Sequence, residues 1–581
     1  MIAIIPLTYL CFFAYGFANM ELNISSVGKI VYGEGPPDYT IWTDGTYTYA
    51  IDAMGNEPAW SANVDAITVI NHAISSTNGG RIFVTPGTYV IRSAIFSNGK
   101  SNIELYGAGE GQTIIQLAAN QQYPGEMLNL LGSVGSYITG WYVHDLTLDG
   151  NSQNQGSAGH LQLYLQYLSN STFERVEAKN VALGGAGTSY GKAFNLYYDN
   201  TIVIRNCTIT LPPDTMQYYA KNSIALTQSD HCLITNNTMV GGSNYVLFFD
   251  GAHDNIATHN VGINGSLDTF DCYVNAYNNF VSDNLLIGLP DGSSTQAMYI
   301  QNNGYPTQPC YNNTYMNNTI INYVEGIILG RGGYNNYLIN NTIINCAVGI
   351  NVMGGRNSLI YANNITNCSR GIALSGDSTY NATGNTIIKN TVSGDGTYVG
   401  IDLTAGSRNI IVGNNITNNV YGFGYYANGG NGNYAANNTV TQSIVSDVTI
   451  QSDVSNCVFE YNDFASGLGS PIHDGGTNTL FRFNAGYSLN GTYSTWQSQS
   501  DWQIIYYNLT VSSSSGGTID PPTGVTQYLN TTIVPITFTA NTGHTPTLNV
   551  DGANVPSTSP YCLVMNGDHT ANVIFTFASS P

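Results

Sequence analysis

Charged side chains are scarce in this chain, whose 581 residues include only 9% Asp, Glu, Lys and Arg. Lys and Arg together number 15 against 36 Asp and Glu, so the formal net charge is −21. Binding to nucleic acid requires clustered cations, and this composition argues against such a partner. The acidic balance also argues against a strongly anionic glycan, unless a basic groove or Ca²⁺ offsets the field.

Several common signatures are missing as well. The sequence has no Cys/His pattern with zinc-ligand spacing, no phosphate-binding loop, no dinucleotide fingerprint and no Gly-x-Ser-x-Gly elbow. We therefore expect neither a nucleotide partner nor acyl-transfer chemistry.

Long apolar runs are also rare, and only one is suited to a membrane or to export. It reads MIAIIPLTYLCFFAYGFA at residues 1–18 and ends in Gly16-Phe17-Ala18, which permits cleavage before Asn19. We expect a signal peptide over residues 1–18 and a secreted or cell-surface protein. The run lacks a basic leading region, so an uncleaved membrane anchor is the alternative.

A repeat of about 23 residues dominates the second half of the chain. Copies begin at Tyr311, Tyr334 and Asn357 and read YNNTYMNNTIINYVEGIILGRGG, YNNYLINNTIINCAVGINVMGGR and NSLIYANNITNCSRGIALSGDS. Each has a short apolar run, an Asn-x-Ile/Val step, a Gly-Ile-x-Leu segment and a turn of small residues. Because one copy is too short to bury its own apolar face, the copies must stack. Short β-type runs without a helical stripe predict one coil of a parallel β-helix per copy.

The Asn of each Asn-x-Ile/Val step marks the same place in successive coils. A stacked Asn at a turn tolerates left-handed backbone geometry and is expected to bond its own backbone and the Asn of the next coil. The predicted ladder consists of Asn237, Asn260, Asn284, Asn318, Asn341, Asn363, Asn385, Asn414, Asn438 and Asn462. Sequons at the neighbouring Asn236, Asn317, Asn340 and Asn437 are expected to face outward, which predicts a glycoprotein.

Nine cysteines fall to eight if Cys11 leaves with the signal peptide, and an even number in an exported chain favours disulfides. Residues stacked on neighbouring coils lie about 4.8 Å apart, within the Cα separation that a disulfide spans. The predicted pairs are Cys207–Cys232, Cys272–Cys310, Cys346–Cys368 and Cys457–Cys562. Stacked free thiols are the alternative for the first and third pairs.

The segment before the repeats reads NVDAITVINHAISSTNGGRIFVTPGTYVI from Asn63. Helical spacing from Asp65 to Ala73 predicts a short helix that ends at Gly79-Gly80, with two strands after it. Such a helix would cap the open end of the solenoid. The predicted domain limits are 1–18 for the signal peptide, 19–60 for a lead-in, 61–490 for the β-helix, 491–504 for a linker and 505–581 for a small all-β module.

This segment resembles the N-terminal signature of the pectate lyase superfamily. The matching residues are Asp65-Ala-Ile, Ala73-Ile74, Gly79-Gly80, Val84-x-Pro86-Gly87-x-Tyr89, Ile103-Glu-Leu-Tyr-Gly107-Ala-Gly109 and Thr113-Ile-Ile. The resemblance covers about residues 47–490 and implies an all-β fold, a right-handed parallel β-helix with an N-terminal cap helix. The C-terminal residues resemble the small β repeat units of secreted surface proteins, which implies a β-sandwich-like domain.

The resemblance implies a polysaccharide partner and two kinds of chemistry. Lyases of this superfamily use Ca²⁺ and an Arg base, whereas polygalacturonase-like members carry paired Asp residues and a Gly-His-Gly motif. This chain departs from both patterns, because Gly251-Ala252-His253 is not Gly-His-Gly and no Arg follows in the expected frame. Whether the protein is an enzyme at all therefore stays open.

In a chain with so few charges, charged residues on strands are the candidates for a site. With Ile327 and Leu329 pointing inward, alternation along each strand predicts one outer row of side chains. The predicted row is Gln162, Asn195, Ala225, Leu247, Asp271, Tyr299, Ile328, Asn351, Ala373 and Asp402. Two consecutive coils beside the longest loop also carry Asp250, His253, Asp254 and Asp268.

Two carboxylates on neighbouring coils suit the acid and the base of glycoside hydrolysis, and Asp250 and Asp271 are the candidates. Tyr245, Tyr273 and Tyr299 are predicted to line a groove, because flat aromatic rings stack on sugar faces while their hydroxyl groups form hydrogen bonds. Two further residues complete the predicted substrate-binding set, namely Asn195 and Lys192.

Calcium is the alternative way to use the same acids. Asp254 and Asp268 would hold a Ca²⁺ ion that acidifies the α-proton of a uronate, with Arg331, Lys192 or His253 as the base. The sequence therefore predicts an exported polysaccharide lyase or glycoside hydrolase. The competing hypothesis is a non-catalytic surface protein that binds glycans or serves as a stalk.

Overall fold

The structure is a computed structural model that describes residues 35–577 apart from short internal segments. The segments outside the description are 122–125, 156–160, 182–190, 212–221, 242–246, 266–267, 290–292, 302–307, 377–379, 426–429, 465–471, 483, 486–489, 492–493, 498–505, 530–532, 542, 556–560 and 566. The predicted signal peptide, Tyr245 and the side chain of Cys562 therefore lie outside the described residues. Among the helices that are described, none is long and apolar enough to cross a membrane. The chain divides into two compact units, Gly28–Gln499 and a unit that contains Ser500–Pro581.

Each coil of the first unit has three short strands, and each strand alternates between the interior and the surface. In the coil that follows Asn336, the strands are Tyr337–Ile339, Thr342–Ile344 and Val348–Met353. Their inward residues Leu338, Ile343 and Ile350 are fully buried in one continuous apolar core. Equivalent strands of successive coils pair in parallel, so the predicted all-β, right-handed parallel β-helix is confirmed.

Sheet 1 is formed by the first strand of each coil. Its members are Tyr39–Thr43, Gly80–Val84, Ile103–Tyr106, the start of Tyr142–Asp149, the middle of Leu168–Lys179, Asn200–Arg205, Leu233–Thr235, Ile256–Thr258, Phe280–Ser282, Thr314–Met316, Tyr337–Ile339, Leu359–Tyr361, Thr386–Ile388, Ile410–Val412, Tyr434–Ala436, Val458–Glu460, Thr479–Arg482 and Ser494–Gln497. Thr48–Asp52 pairs antiparallel with the first strand, and Ile138–Thr139 pairs with Leu168–Lys179.

Sheet 2 is formed by the second strand of each coil. Its members are Gly87–Ile91, Thr113–Leu117, the ends of Tyr142–Asp149 and Leu168–Lys179, Thr208–Thr210, Thr238–Val240, Val261–Ile263, Leu285–Ile287, Thr319–Ile321, Thr342–Ile344, the starts of Asn364–Ser375 and Thr391–Asp402, Asn415–Thr417, Thr439–Thr441 and Asp463–Phe464. Ala382–Thr383 and Gly406–Ser407 form a separate parallel pair.

Sheet 3 is formed by the third strand of each coil and carries the candidate site. Its members are Ile95–Phe96, Leu128–Leu131, Leu161–Gln166, Lys192–Tyr197, Asn222–Thr227, Leu247–Asp250, Asp268–Tyr273, Gln296–Gln301, Glu325–Leu329, Val348–Met353, the ends of Asn364–Ser375 and Thr391–Asp402, Tyr421–Tyr425, Ser446–Ile450, Ile472–Asp474 and Asn490–Gly491.

Buried asparagines form two ladders, where the sequence predicted one. The ladder between sheets 1 and 2 contains Asn237, Asn260, Asn284, Asn318, Asn341, Asn363, Asn390, Asn414, Asn438, Asn462 and Asn484. The ladder between sheets 3 and 1 contains Asn255, Asn279, Asn313, Asn336, Asn385, Asn409 and Asn433, with Ser358 between Asn336 and Asn385. The prediction of Asn385 in the first ladder is therefore wrong, because Asn390 occupies that place.

The amide of Asn341 uses its full hydrogen-bonding capacity. Its Nδ2 donates to Tyr315 O at 3.0 Å and to Asn363 Oδ1 at 2.9 Å, and its Oδ1 accepts from the backbone N and Nδ2 of Asn318, each at 3.0 Å. The left-handed residue of this turn is the exposed Asn340 with φ 53°, not the ladder Asn as predicted. One side chain thus joins three coils and satisfies polar groups that no water reaches.

A glycine near the start of the sheet 3 strand in several later coils permits close packing, at Gly326, Gly349, Gly371, Gly400 and Gly422. A Cβ added to Gly349 would lie 2.5 Å from Ile365 Cγ2 of the next coil and 2.6 Å from Gly371 O. Any larger side chain would push sheet 3 away from sheet 2.

The predicted short helix is present as α1, Ala66–Ser76. Asp65 caps it, since its Oδ1 accepts a hydrogen bond from Ile67 N at 3.4 Å. Its apolar residues join the core of the solenoid, and its role as an end cap stays a prediction. A short 3₁₀ helix at Ser152–Asn154 follows the strand Tyr142–Asp149.

The seven cysteines whose side chains are described are all buried free thiols, so none of the predicted disulfides is present among them. The pairing of Cys207 with Cys232 is wrong, because the two lie in different turns. Cys207 N bonds Asn237 Oδ1 of the first ladder, and Cys232 N bonds Asn255 Oδ1 of the second.

The other described cysteines are also free thiols, and two of the predicted pairs, Cys346 with Cys368 and Cys272 with Cys310, lie close together. Cys346 and Cys368 stack in neighbouring coils, and their mutual interaction lowers the pKa of Cys368. Cys310 Sγ lies 3.4 Å from Cys272 O. For Cys457, the predicted partner's side chain lies outside the described residues.

The second unit is a small β structure with its own apolar core. One sheet has the order Gly524–Leu529, Tyr506–Ser513, His569–Phe577, His544–Val550 and Ala553–Val555. The other has the order Gly517–Asp520, Ile533–Ala540 and Tyr561–Val564.

Replacement of a ladder amide should open the solenoid locally. Asn341→Ala leaves Tyr315 O and two donors of Asn318 without partners, which we expect to destabilise the neighbouring coils by about 2–4 kcal/mol. The measurement is amide hydrogen exchange of residues 314–344 in protein made without glycosylation. The control Asn340→Gly keeps the left-handed turn and should exchange like the wild type; equal protection in both variants would contradict the role of the ladder.

Candidate functional site

The outer row of sheet 3 is set by pairing in register between coils. It runs through Asn129, Tyr164, Asn195, Ala225, Phe248, Asp271, Tyr299, Ile328, Asn351, Ala373 and Asp402. The predicted row is right from Asp271 onward and wrong at two earlier positions. Leu247 points into the core and Phe248 takes its place in the row, while Tyr164 takes the place predicted for Gln162.

Asp271 lies in the middle of this row between the inward-facing Phe270 and Cys272, and its side chain is completely buried. Its Oδ2 accepts a hydrogen bond from Gln301 Nε2 at 3.1 Å. Its Oδ1 has no hydrogen-bond partner within the part of the chain that the structure describes. Burial raises the pKa of Asp271 well above its ordinary value, and the nearby Asp268 and Asp250 raise it further. Burial and the neighbouring acids therefore favour the protonated form of the Asp271 carboxyl group over its ionised form.

Asp268 begins the same strand and stands beside a second acid. It is in register with Gln296 and, one coil further, with Glu325. Burial and the Glu325 carboxylate raise the pKa of Asp268 to about 7. Glu325 is itself held by Asn351, whose Nδ2 donates to Glu325 Oε1 at 2.6 Å. A pKa near neutrality suits proton transfer, because both protonation states are populated.

Asp250 differs from these acids because it has a cationic neighbour. It ends the preceding strand of sheet 3, in register with Tyr273. Burial raises the pKa of Asp250, whereas the Lys192 ammonium opposes that rise. Lys192 Nζ donates to Asn195 Oδ1 at 2.9 Å, and burial lowers the pKa of Lys192. Asp250 is therefore the group of the three that is best placed to stay ionised.

Tyr299 and Arg331 lie at the other side of Asp271. Tyr299 follows Asp271 in the outer row, and it is half-buried. Burial and the charge of Asp271 raise the pKa of Tyr299 to about 12, while Arg331 opposes the rise. The exposed Arg331 is thus close to the predicted site. Tyr273 is half-buried at the end of the strand that contains Asp271.

His253 and Asp254 belong to a different row, in the turn between sheets 3 and 1. His253 Nδ1 lies 2.9 Å from Asp254 Oδ2, and its ring stacks on Tyr277 with centroids 4.6 Å apart. The stack continues through Tyr311 and Tyr334 at 4.9 and 5.1 Å. The structure therefore does not bring these two residues into the outer row with Asp271.

The structure does not bring the two predicted calcium ligands, Asp254 and Asp268, into one row. Among the described residues, no group of three or more His, Cys, Asp or Glu side chains is arranged to hold a metal ion. Asp254 is occupied by His253 and by Asn278, whose Nδ2 donates to Asp254 Oδ1 at 3.0 Å, and it lies in a different row from Asp268.

A second group of charged residues lies on the outer face of sheet 1 in the early coils, and sequence reasoning missed it. His144 lies between Glu104, at 3.0 Å from Nε2, and Asp145, at 2.6 Å from Nδ1. Arg175 Nε bonds Asp145 at 2.6 Å. The remaining members are Arg81, Glu174 and Arg205. Because its acids and bases pair with one another across coils, we interpret this group as a structural network.

Glu325 and Gln301 are further residues that sequence reasoning missed. Glu325 immediately precedes a Gly-Ile-x-Leu segment, and a charged residue at a strand start was the available signal. Gln301 precedes the undescribed segment 302–307, where the alignment of copies breaks.

A stability measurement tests the environment of Asp268. Its pKa of about 7 in the folded state lies above the unfolded value of about 3.9, so the wild type loses stability as the pH rises from about 4 to about 7. The amide in Asp268→Asn does not titrate. Relative to the wild type, this variant should gain about 2–4 kcal/mol across that window, measured from unfolding midpoints by circular dichroism.

The control is Asp283→Asn, which removes an exposed carboxylate from the turn between sheets 1 and 2 of a nearby coil. Its midpoints should run parallel to those of the wild type. Parallel curves for Asp268→Asn as well would contradict the raised pKa.

Comparisons with known proteins agree with this fold. Residues 291–440 match the model of the family described as "Right handed beta helix region". No curated protein matches the chain by sequence. The match spans part of the solenoid and includes Tyr299, Glu325 and Arg331.

Several solved structures are similar to the chain at low sequence identity. The A-module of mannuronan C-5 epimerase AlgE6 from Azotobacter vinelandii is 16% identical with a TM-score of 0.40, covering 65% of this chain and 95% of its own. The catalytic domain of a GH87 α-1,3-glucanase is 16% identical with a TM-score of 0.36, covering 56% and 63%. An alginate lyase from Paenibacillus sp. is 12% identical with a TM-score of 0.31, covering 48% and 91%. The named activities belong to those proteins.

Proposed function

We propose that this β-helix protein is exported, binds a long polysaccharide along the outer face of sheet 3, and cleaves it by glycoside hydrolysis. The observation that carries the proposal is the contrast between two aspartates on neighbouring coils. Burial and two acidic neighbours favour the protonated form of Asp271, whereas Lys192 favours the ionised form of Asp250. Environments that drive two carboxyl groups apart in this way assign an acid and a base.

The register of the two aspartates supports this proposal. Asp271 is in register with Phe248, two residues before Asp250, so both aspartates face the same side of sheet 3. Two residues along a strand and one coil step place their Cα atoms about 8 Å apart. Side chains that start from Cα atoms at this distance can place their carboxyl groups on either side of a glycosidic bond.

Each residue then has a defined part in the reaction. Asp271 donates its proton to the leaving oxygen. The Asp250 carboxylate either accepts a proton from the water that attacks the anomeric carbon or attacks that carbon itself. Asp268, with its pKa of about 7, raises the pKa of Asp271 and returns a proton to it between turnovers. Lys192 and Asn195 orient the glycan beside Asp250.

A second candidate function is glycan binding without catalysis. The observation that favours it is the complete burial of Asp271, since a glycan must displace covering groups to reach the carboxyl group. In that case the acids would be structural, and the face of sheet 3 would serve a surface or stalk protein.

Removal of either aspartate should abolish cleavage. Asp250→Asn and Asp271→Asn should each lower kcat by about 10²–10⁴-fold on the best substrate, because each removes one proton-transfer group. The measurement is the release of reducing ends from a panel of long polysaccharides. A parallel ultraviolet assay for unsaturated uronates separates hydrolysis from the lyase reaction.

The matched control is again Asp283→Asn, which should keep wild-type activity. Retention of wild-type kcat by Asp250→Asn or Asp271→Asn would contradict the proposed roles. Absence of product on every polysaccharide, with glycan still bound, would favour the non-catalytic candidate.

A further inference from the structure

Several buried oxygen atoms without hydrogen-bond partners lie on the outer face of sheet 3. Asn129 Oδ1, Asn222 Oδ1 and Asp271 Oδ1 have no hydrogen-bond partner within the described residues. The three side chains are only 7%, 3% and 0% exposed. A buried polar atom without a partner is unfavourable, so each of these oxygens is suited to a hydroxyl group that arrives with a ligand and that can either donate or accept a hydrogen bond.

These oxygens lie along one line of the sheet. Asn129 and Asp271 both belong to the outer row, five coil steps apart through Tyr164, Asn195 and Ala225 to Phe248 and Asp271. At about 4.8 Å per step, the row between them is about 24 Å long.

Asn222 lies beside this row at the start of a strand. It is in register with Lys192, whose ammonium reaches the outer-row residue Asn195. The line of acceptors thus has the length of several sugar residues and approaches the two aspartates from the N-terminal coils.

The charges on this face are mainly acidic. Four carboxyl groups lie close together at its centre, on Asp250, Asp268, Asp271 and Glu325. Glu325 raises the pKa of Asp268, and Asp268 and Asp250 raise the pKa of Asp271. Two cations face them, Lys192 and Arg331. The Lys192 ammonium already donates to Asn195 Oδ1 and lies beside Asp250.

A polyuronate would bring a carboxylate on every sugar into this acidic field, where like charges repel. A sugar hydroxyl group, in contrast, donates one hydrogen bond and carries no charge.

We infer that the glycan held on sheet 3 is a neutral polyhydroxyl chain, whose hydroxyl groups form hydrogen bonds with Asn129, Asn222 and Asp271, and not a polyuronate. This inference rests on the proposed function, because it concerns the ligand of the same face. The inference assigns a class of substrate, neutral polysaccharides, to the face of sheet 3, whereas the fold alone does not indicate one.

The test compares polysaccharides that differ in charge alone. Neutral glucan, mannan, xylan and galactan are each paired with their own carboxymethyl derivative, and acidic polygalacturonate is paired with its methyl ester. Binding of the full-length protein is measured by affinity electrophoresis in the cold. We expect at least tenfold tighter binding to the neutral member of the recognised pair, with the gap narrowing as salt screens repulsion.

The outcomes separate this inference from the proposed function. Tighter binding to a carboxylated member would overturn the inference, and cleavage of that polymer would leave the proposed function standing. If no polysaccharide in the panel is bound, the proposed function itself fails and the inference fails with it.

Variants test the acceptor oxygens directly. Asn222→Ala should weaken binding of the preferred neutral glycan about tenfold, because one hydrogen bond to the ligand is lost. The matched control is Asn351→Ala in the outer row, whose amide is already bonded to Glu325 and to Ser375. Binding by Asn222→Ala that equals the wild type, or a loss of equal size in Asn351→Ala, would overturn the assignment of these oxygens as ligand contacts.

Discussion

Vertical registration of successive coils is the constraint on which every other feature of this protein depends, and buried amides enforce it. Each ladder asparagine bonds the coil before it and the coil after it, as Asn341 does with Tyr315, Asn318 and Asn363. A slip of one residue would bury an apolar side chain in the turn and leave backbone groups unpaired. The ladders therefore decide which distant residues share a row on the surface.

Because the coils are in register, a few charged residues that are far apart in the sequence lie close together on sheet 3. The neighbours of Asp271 are Asp250 in the preceding coil, Gln301 in the following coil and Asp268 in its own strand. Away from sheet 3, acids and bases pair with each other, as the network around His144 does. On sheet 3, acids face acids under burial, so their protonation depends on small differences such as the proximity of Lys192. The chemistry proposed for this face follows from that imbalance.

The repeat was sufficient to predict the coil and the later part of the outer row, because the Gly-Ile-x-Leu segment marks sheet 3 in these copies. The predictions failed where that marker is absent. Gln162 and Leu247 follow segments of variable length, so alternation alone left their position uncertain by one or two residues. The exchange of Asn385 for Asn390 and the pairing of Cys207 with Cys232 have one cause. Each coil contains two similar turns, and the sequence around them does not distinguish one from the other.

The central claim is that carboxyl groups on sheet 3 are protonated near neutral pH and contact the glycan. Difference infrared spectroscopy of the carboxyl stretching bands, at about pH 6 with and without the bound polysaccharide, tests it most directly. The account predicts a protonated band with a component that Asp271→Asn removes and that shifts when the glycan binds. A spectrum with only ionised carboxylates, unchanged by the glycan, would contradict it.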